Sequence, residues 1–134
     1  MPNNRQNLMQ YRLDNAKEKI RAAELLYEQG GFKDSINRSY YAMFSTMRAI
    51  LALDGVDFSK HAGVISYFQR EYIKTGKFDK KYSKFISMAF QIRSNCDYAD
   101  FFVVNKEDAQ EQLNNAKEFL EVIQSYLTTN GYLK

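Results

Sequence analysis

Hydrophobic residues recur at alternating spacings of three and four along most of the chain, which is the period of an amphipathic α-helix. The first such segment runs from about Arg5 to Gln29 and ends at Gly30 and Gly31. A second, more apolar segment covers Asp34 to Leu53, where Asp34 is well placed as an N-cap. The pattern therefore predicts two long helices joined by a glycine turn.

The second half of the chain contains three further segments with the helical period. Ser59 can cap a shorter helix that continues through about Lys74. The next helix spans about Lys80 to Cys96, and the last spans Asn105 to Thr128. Asn105 is followed three residues later by Asp108, a relative of the capping box. Five helices without a strand pattern predict an all-α fold, an antiparallel four-helix up-and-down bundle with an additional short helix.

Length and composition favour one domain of a reducing compartment. A chain of 134 residues without a linker predicts a single domain over 1–134, with its core over about 5–128. The single cysteine, Cys96, excludes an internal disulfide, so we expect a cytoplasmic protein. The N-terminal segment lacks a signal-peptide core and no apolar run has the length of a membrane span, so no membrane association is expected.

Charge adds one candidate surface. The net charge of +3 is too small to require a nucleic-acid partner, but cations cluster around the turn between the third and fourth helices. Such a patch could guide RNA by its phosphates, or it could be a solvated connector. Its members are Arg70, Lys74, Lys77, Lys80, Lys81 and Lys84.

Arg93 continues the apolar ridge of the fourth helix and should point at the bundle or its rim. Asp97 lies four residues later, within reach of an ion pair along a helix. That pair could simply order the following loop, or it could hold Arg93 in a site. The aromatic connection from Asp97 to Val104 should pack against the bundle end or a partner subunit.

Two other polar groups stand out in apolar surroundings. Arg38 with Tyr40 and Tyr41 would suit a phosphate or a base edge, and would equally suit a dimer interface. His61, the only histidine, lies beside Lys60 near a helix start, where the helix dipole and the neighbouring cation favour its neutral form. It could accept a proton, or it could be a capping or packing residue.

Three short motifs occur in order and together resemble the HEPN domain family, particularly its stand-alone prokaryotic branch. They are NRSYYAMF at residues 37–44, KHAGVI at residues 60–65 and RSNCDY at residues 93–98. The resemblance extends from about Tyr11 to Leu127. It implies a helical bundle that dimerises and is often encoded beside a minimal nucleotidyltransferase as a toxin and antitoxin pair.

Catalytic members of that family are metal-independent ribonucleases that use an arginine, then four to six residues, then a histidine. Arg93 matches the arginine, but the positions that would hold the histidine carry Tyr98, Ala99 and Asp100. A tyrosine used as a general base at neutral pH would forfeit about 4 to 5 kcal/mol unless its pKa were strongly shifted. The family's usual cleavage route is therefore not expected here.

In the nucleotidyltransferase-paired branch, a tyrosine shortly after that histidine can receive AMP from the partner. Tyr98 falls two positions early for this pattern, and it could instead be an ordinary tyrosine that anchors the loop.

The leading hypothesis is a dimeric subunit of a toxin-antitoxin type module that binds RNA or nucleotide, a nucleotidyltransferase partner, or both. The alternatives are a metal-independent endoribonuclease that uses Arg93 with a non-standard base, and a non-catalytic helical scaffold. We expect neither a metal nor a cofactor. The candidate catalytic residues are Arg93, Asp97, Tyr98 and His61, and the candidate RNA-binding residues are Arg38, Tyr41, Lys60 and Lys81.

Overall fold

The computed structural model describes residues 4–99 and 101–133. All regular secondary structure within those ranges is helical, which confirms the all-α prediction. The helices are α1 (Asn4–Glu28), α2 (Phe32–Asp54), α3 (His61–Phe68), α4 (Lys81–Tyr98) and α5 (Lys106–Thr129). A π-helical turn, Gln69–Ile73, continues α3. None of the helices in the described ranges is long and apolar enough to cross a membrane.

Contacts at the helix ends give the chain direction. α1 and α2 are antiparallel, because Ser35 near the start of α2 donates to the Ala23 carbonyl near the end of α1 at 2.8 Å. α4 runs opposite to α2, since Arg93 in the last third of α4 lies over the ring of Tyr40 in the first half of α2, and Cys96 near the end of α4 lies close enough to Lys33 at the start of α2 for the lysine charge to act on it. α5 begins where α1 ends, with Lys106 over the ring of Tyr27. The four long helices therefore form the predicted up-and-down bundle, with α3 as the additional short helix.

α2 is the central helix and packs against α1, α3, α4 and α5. Small residues occur along it at helical spacing and are fully buried, which allows neighbouring helices to approach closely. They are Ser35, Ser39, Ala42, Thr46 and Ala49. Any functional side chain on α2 is consequently held on a rigid element, which is the property that a precise site requires.

Two predicted N-caps are wrong. α2 begins at Phe32 after Gly31, so Asp34 lies inside its first turn, where its carboxylate is stabilised by the positive end of the helix dipole. α3 begins at His61 after Lys60, and Ser59 remains in the preceding bend. The preceding chain folds back across that first turn, because a Cβ on Gly63 would come within 2.9 Å of the Phe58 Cβ.

The third helix was predicted to continue through about Lys74, but its α-helical part ends at Phe68. The π-helical turn that follows has a physical cause in Asp54 at the end of α2. Its carboxylate accepts from the Tyr67 hydroxyl at 2.8 Å and from the Tyr72 hydroxyl at 2.7 Å. These tyrosines are five residues apart, and the wider i to i+5 turn brings both to one face.

α4 extends to Tyr98 rather than ending at Cys96, so Asp97 and Tyr98 are helical and the non-helical connection is shorter than predicted. The last turn is closed by the Ala99 amide, which donates to the Asn95 carbonyl at 3.0 Å.

The predicted capping relation at α5 is confirmed as a full capping box. The Asp108 amide donates to the Asn105 side-chain oxygen at 2.8 Å, and the Asn105 amide donates to the Asp108 carboxylate at 3.2 Å. These two bonds satisfy backbone donors that the first turn of a helix otherwise leaves open.

Asn105→Ala should lower the free energy of unfolding by about 1 kcal/mol, because the cap is lost. Urea denaturation followed by circular dichroism measures this. Asn114→Ala is the matched control, since Asn114 is exposed in the middle of α5 and should change stability by less than about 0.5 kcal/mol. Equal effects of the two variants would contradict a stabilising capping box.

Candidate functional site

Arg93, two turns from the start of the loop that follows α4, is directed into the bundle. Its side chain is only 12% exposed, and its Nη1 donates to the Asp97 carboxylate at 3.0 Å, which confirms the predicted ion pair. Its Cζ lies 4.7 Å from the centre of the Tyr40 ring and 5.7 Å from that of Tyr41. The guanidinium is thus stacked on aromatic faces, and its buried Nε has no hydrogen-bond partner.

His61, the first residue of α3, completes this group. Its Nδ1 lies 3.0 Å from the Tyr40 hydroxyl and 3.4 Å from Nη2 of Arg93. The Phe44 ring packs on the imidazole with a centroid distance of 4.1 Å. The structure therefore brings residues from α2, α3 and α4 together, and we call Arg93, Asp97, His61, Tyr40 and Tyr41 the Arg93 cluster.

The hydrogen-bond partners of Nδ1 indicate which tautomer His61 adopts. An arginine can only donate hydrogen bonds, so Nδ1 must accept from Arg93. The neutral ring then carries its hydrogen on Nε2. In this state His61 offers an N–H donor on one side and orients Tyr40 and Arg93 on the other.

The electrostatics of the cluster hold this state. Burial lowers the pKa of His61, and the positive charges of Arg93 and Arg48 lower it further, so the imidazole is neutral at neutral pH. Burial raises the pKa of Tyr40, partly offset by a hydrogen bond to Arg93 and by its charge. Tyr40 consequently remains a phenol and keeps its proton.

Comparison with known proteins identifies the family. The family model described as "HEPN domain" matches residues 9–126. This chain belongs to the HEPN family. Among its relatives is a "UPF0332 protein" of Thermotoga maritima, which is 33% identical over 93% of this chain and 95% of its own length.

Two proteins of Methanocaldococcus jannaschii, each named "Putative toxin", are also similar to this HEPN chain. Each is 30% identical to it. One alignment covers 91% of this chain and 83% of the relative, and the other covers 84% of this chain and 83% of the relative.

The other candidate residues of this HEPN domain lie outside the cluster. Arg38 and Lys60 are exposed, and Lys81 forms an ion pair with Glu118 at 2.8 Å. Tyr98 is 79% exposed at the end of α4. Asp100, one of the positions where a histidine would be expected, lies outside the described residues.

Sequence reasoning did not place Phe44 or Arg48 at the site. Phe44 lies one turn beyond Tyr40, so the shared face of α2 could have indicated it. Arg48 lies one further turn along and shares the Asp57 carboxylate with Arg12, at 3.1 and 3.5 Å. Over residues 4–99 and 101–133, no three histidine, cysteine or acidic side chains are grouped so that they could hold a metal ion.

The ring protons of His61 should titrate with a pKa below 6.5, and Arg93→Gln should move that pKa towards 6.5 because a neighbouring positive charge is removed. NMR from about pH 4 to pH 8 measures this without ambiguity, because the chain has one histidine. The pKa of His61 is lower in the folded protein than in the unfolded chain. The contribution of neutral His61 to the free energy of unfolding is therefore fully present above pH 6.5 and declines as the pH falls below it.

The matched control for this titration is Arg21→Gln, which removes the same charge from an exposed position on α1. It should leave the His61 pKa unchanged. If Arg93→Gln also left the His61 pKa unchanged, burial alone would account for the lowered pKa, and the predicted effect of the Arg93 charge would be contradicted.

Proposed function

We propose that this HEPN domain is a toxin-like, RNA-binding subunit that acts as a homodimer in a toxin-antitoxin type module. The observation that carries the proposal is the environment of Arg93. Its guanidinium is nearly buried on the faces of Tyr40 and Tyr41, has one carboxylate partner and retains an unsatisfied Nε. A phosphate that displaced or joined that carboxylate would accept hydrogen bonds from the terminal nitrogens of the guanidinium.

The chemistry of the cluster suits a phosphodiester. A guanidinium presents a planar fork of donors that matches phosphate oxygens, and partial desolvation strengthens the contact. His61 adds an Nε2–H donor, and Tyr41 adds a half-buried phenol beside it. None of these groups needs to change protonation state to hold an anion. The site is therefore preorganised for binding.

Binding is favoured over cleavage by the tautomer of His61. A general base must direct a lone pair at the substrate hydroxyl. The neutral His61 ring has one such lone pair, on Nδ1, and it already accepts from Tyr40 and Arg93. The specific observation that favours the alternative, a metal-independent endoribonuclease, is the proximity of Arg93 and His61. In that case phosphate binding would have to draw Arg93 away and release Nδ1.

Two further observations support an assembled module. The similar proteins of Methanocaldococcus jannaschii each carry the name "Putative toxin", which supports a toxin-like role here. Large apolar side chains are exposed on the loop after α4, as expected for a surface that packs against a second copy. They are Phe101, which is 98% exposed, and Val103, which is 83% exposed.

Arg93→Gln should weaken binding of single-stranded RNA about tenfold to hundredfold, because a charge-assisted hydrogen bond to phosphate is lost. Asp97→Asn should bind as tightly as the parent or more tightly, since it removes the carboxylate that competes for the guanidinium. Fluorescence anisotropy at two salt concentrations measures both variants. Thermal denaturation verifies that each is folded.

The matched control is Arg21→Gln, which should bind RNA like the parent protein. Absence of RNA binding in all of these proteins would contradict the proposal and leave a helical scaffold. Analysis of the RNA after incubation separates the alternative. Products with cyclic phosphate ends that disappear in both Arg93→Gln and His61→Gln would indicate a ribonuclease, whereas intact RNA agrees with binding alone.

We also propose a nucleotidyltransferase partner that modifies Tyr98. This phenol is largely exposed, whereas Tyr40 is 2% exposed and engaged with His61. In the reaction the Tyr98 oxygen would attack the α-phosphorus of ATP, pyrophosphate would leave, and a base of the partner would take the phenolic proton. The acceptor therefore has to be accessible, and Tyr98 meets that condition.

Coexpression with a minimal nucleotidyltransferase should increase the mass of this protein by one adenylyl group, and peptide mass spectrometry should locate it on Tyr98. Tyr98→Phe should lose the modification, while Tyr11→Phe, an exposed tyrosine on α1, should retain it. Modification that persists in Tyr98→Phe would show that another residue is the acceptor.

A further inference from the structure

A groove of about 910 Å³ lies between α3 with its π-helical turn on one side and the start of α4 on the other. Its floor contains the apolar side chains of Ile65 and Ile73, and four cations line it. They are Arg70, Lys74, Lys80 and Lys84. A groove that combines an apolar floor with several cations is suited to an anion that also carries apolar faces.

Three of these cations have their charge available for a ligand. Arg70 is paired with Glu71 at 3.0 Å, whereas the exposed Lys74, Lys80 and Lys84 have no ion pair among the described residues. Two other lysines of the predicted basic patch are already engaged, since Lys77 lies over the Tyr72 ring and Lys81 is bonded to Glu118. The structure thus divides the patch into occupied and available members.

The groove continues towards the Arg93 cluster. A second concavity between α3 and α4 shares Ile65 and Ser66 with the first and extends to Phe90. The Phe90 ring lies 6.2 Å from that of Tyr40, over which the Arg93 guanidinium is stacked. A path between α3 and α4 therefore leads from the lysines, over Ile65 and Phe90, to Arg93.

We propose that this path, which we call the α3–α4 groove, is the track of a single-stranded RNA whose phosphates contact Lys74, Lys80 and Lys84 at one end and Arg93 at the other. The inference rests on the proposed function and extends it by naming the route and form of the RNA. Phe90 is 40% exposed and offers a ring face for a base. An unpaired strand exposes such base faces, whereas a duplex keeps them stacked inside.

The length of α4 sets the length of RNA. Arg93 is nine positions after Lys84, which corresponds to a rise of about 14 Å along a helix, with the two side chains about half a turn apart. At least about four stacked nucleotides at ~3.4 Å each are needed to cover that rise. An octanucleotide can therefore contact both ends of the groove, but a dinucleotide can contact only one.

The test compares oligouridylates of eight and two nucleotides bound to the full chain, by anisotropy and NMR titration. Changing Lys74, Lys80 and Lys84 together to Gln should weaken octanucleotide binding and reduce the slope of log K against log salt by about 2, from about 0.7 for each phosphate contact. The same variant should leave dinucleotide binding at the Arg93 cluster unchanged. Phe90→Ala should weaken the octanucleotide at least about fivefold.

The charge control matches the number of cations removed, and the apolar control matches the exposure of Phe90. Changing Lys17, Lys19 and Arg21 on α1 to Gln removes three charges elsewhere, and Met88→Ala removes a similarly exposed apolar side chain of α4 that does not line the groove. Both should bind the octanucleotide like the parent. Circular dichroism confirms that each variant is folded.

Each other outcome overturns the inference in a recognisable way. If only Arg93→Gln weakens the octanucleotide, RNA binding stands but the α3–α4 groove is not its track. If the lysine variant weakens both lengths equally, the lysines act as a diffuse field. An octaglutamate peptide that binds as tightly as the octanucleotide would make the groove a site for an acidic protein, and no RNA binding by any protein overturns both proposals.

Discussion

The structure around the site depends on keeping one guanidinium charged while most of its side chain is withdrawn from water. Arg93 meets this condition through a carboxylate one turn away and through the faces of two tyrosines. Its partners come from α2, α3 and α4, so their placement depends on the packing of the whole bundle. Removing any one partner changes the environment of the Arg93 guanidinium, so the properties of the Arg93 cluster depend on each of its members.

Features that depend on neighbours in sequence were predictable. The helical period gave five helices, the capping box at α5 involves residues three apart, and the Arg93 ion pair involves residues four apart. All three follow from the geometry of one turn of helix. The N-caps at Asp34 and Ser59 were wrong because two or three residues near each helix start could serve, and tertiary contacts such as Phe58 on Gly63 decided between them.

The contacts between His61, Tyr40 and Arg93 were not predictable from the sequence, although the three residues had been singled out. Tyr40 and His61 are separated by 21 residues, and His61 and Arg93 by 32. No local rule relates residues at such separations. Only the packing of α3 across α2 and α4 brings the imidazole to the guanidinium, and because arginine can only donate hydrogen bonds, this contact leaves the ring hydrogen on Nε2.

The π-helical turn has a consequence for how homologous sequences can be aligned with this chain. Such a turn corresponds to one extra residue within an otherwise regular helix, so every position after it is rotated by about 100° relative to an uninterrupted helix. A relative that lacked this residue would present a different side chain where Lys74 now stands. Gaps at residues 69–73 would therefore mark changes in surface chemistry rather than neutral changes in length.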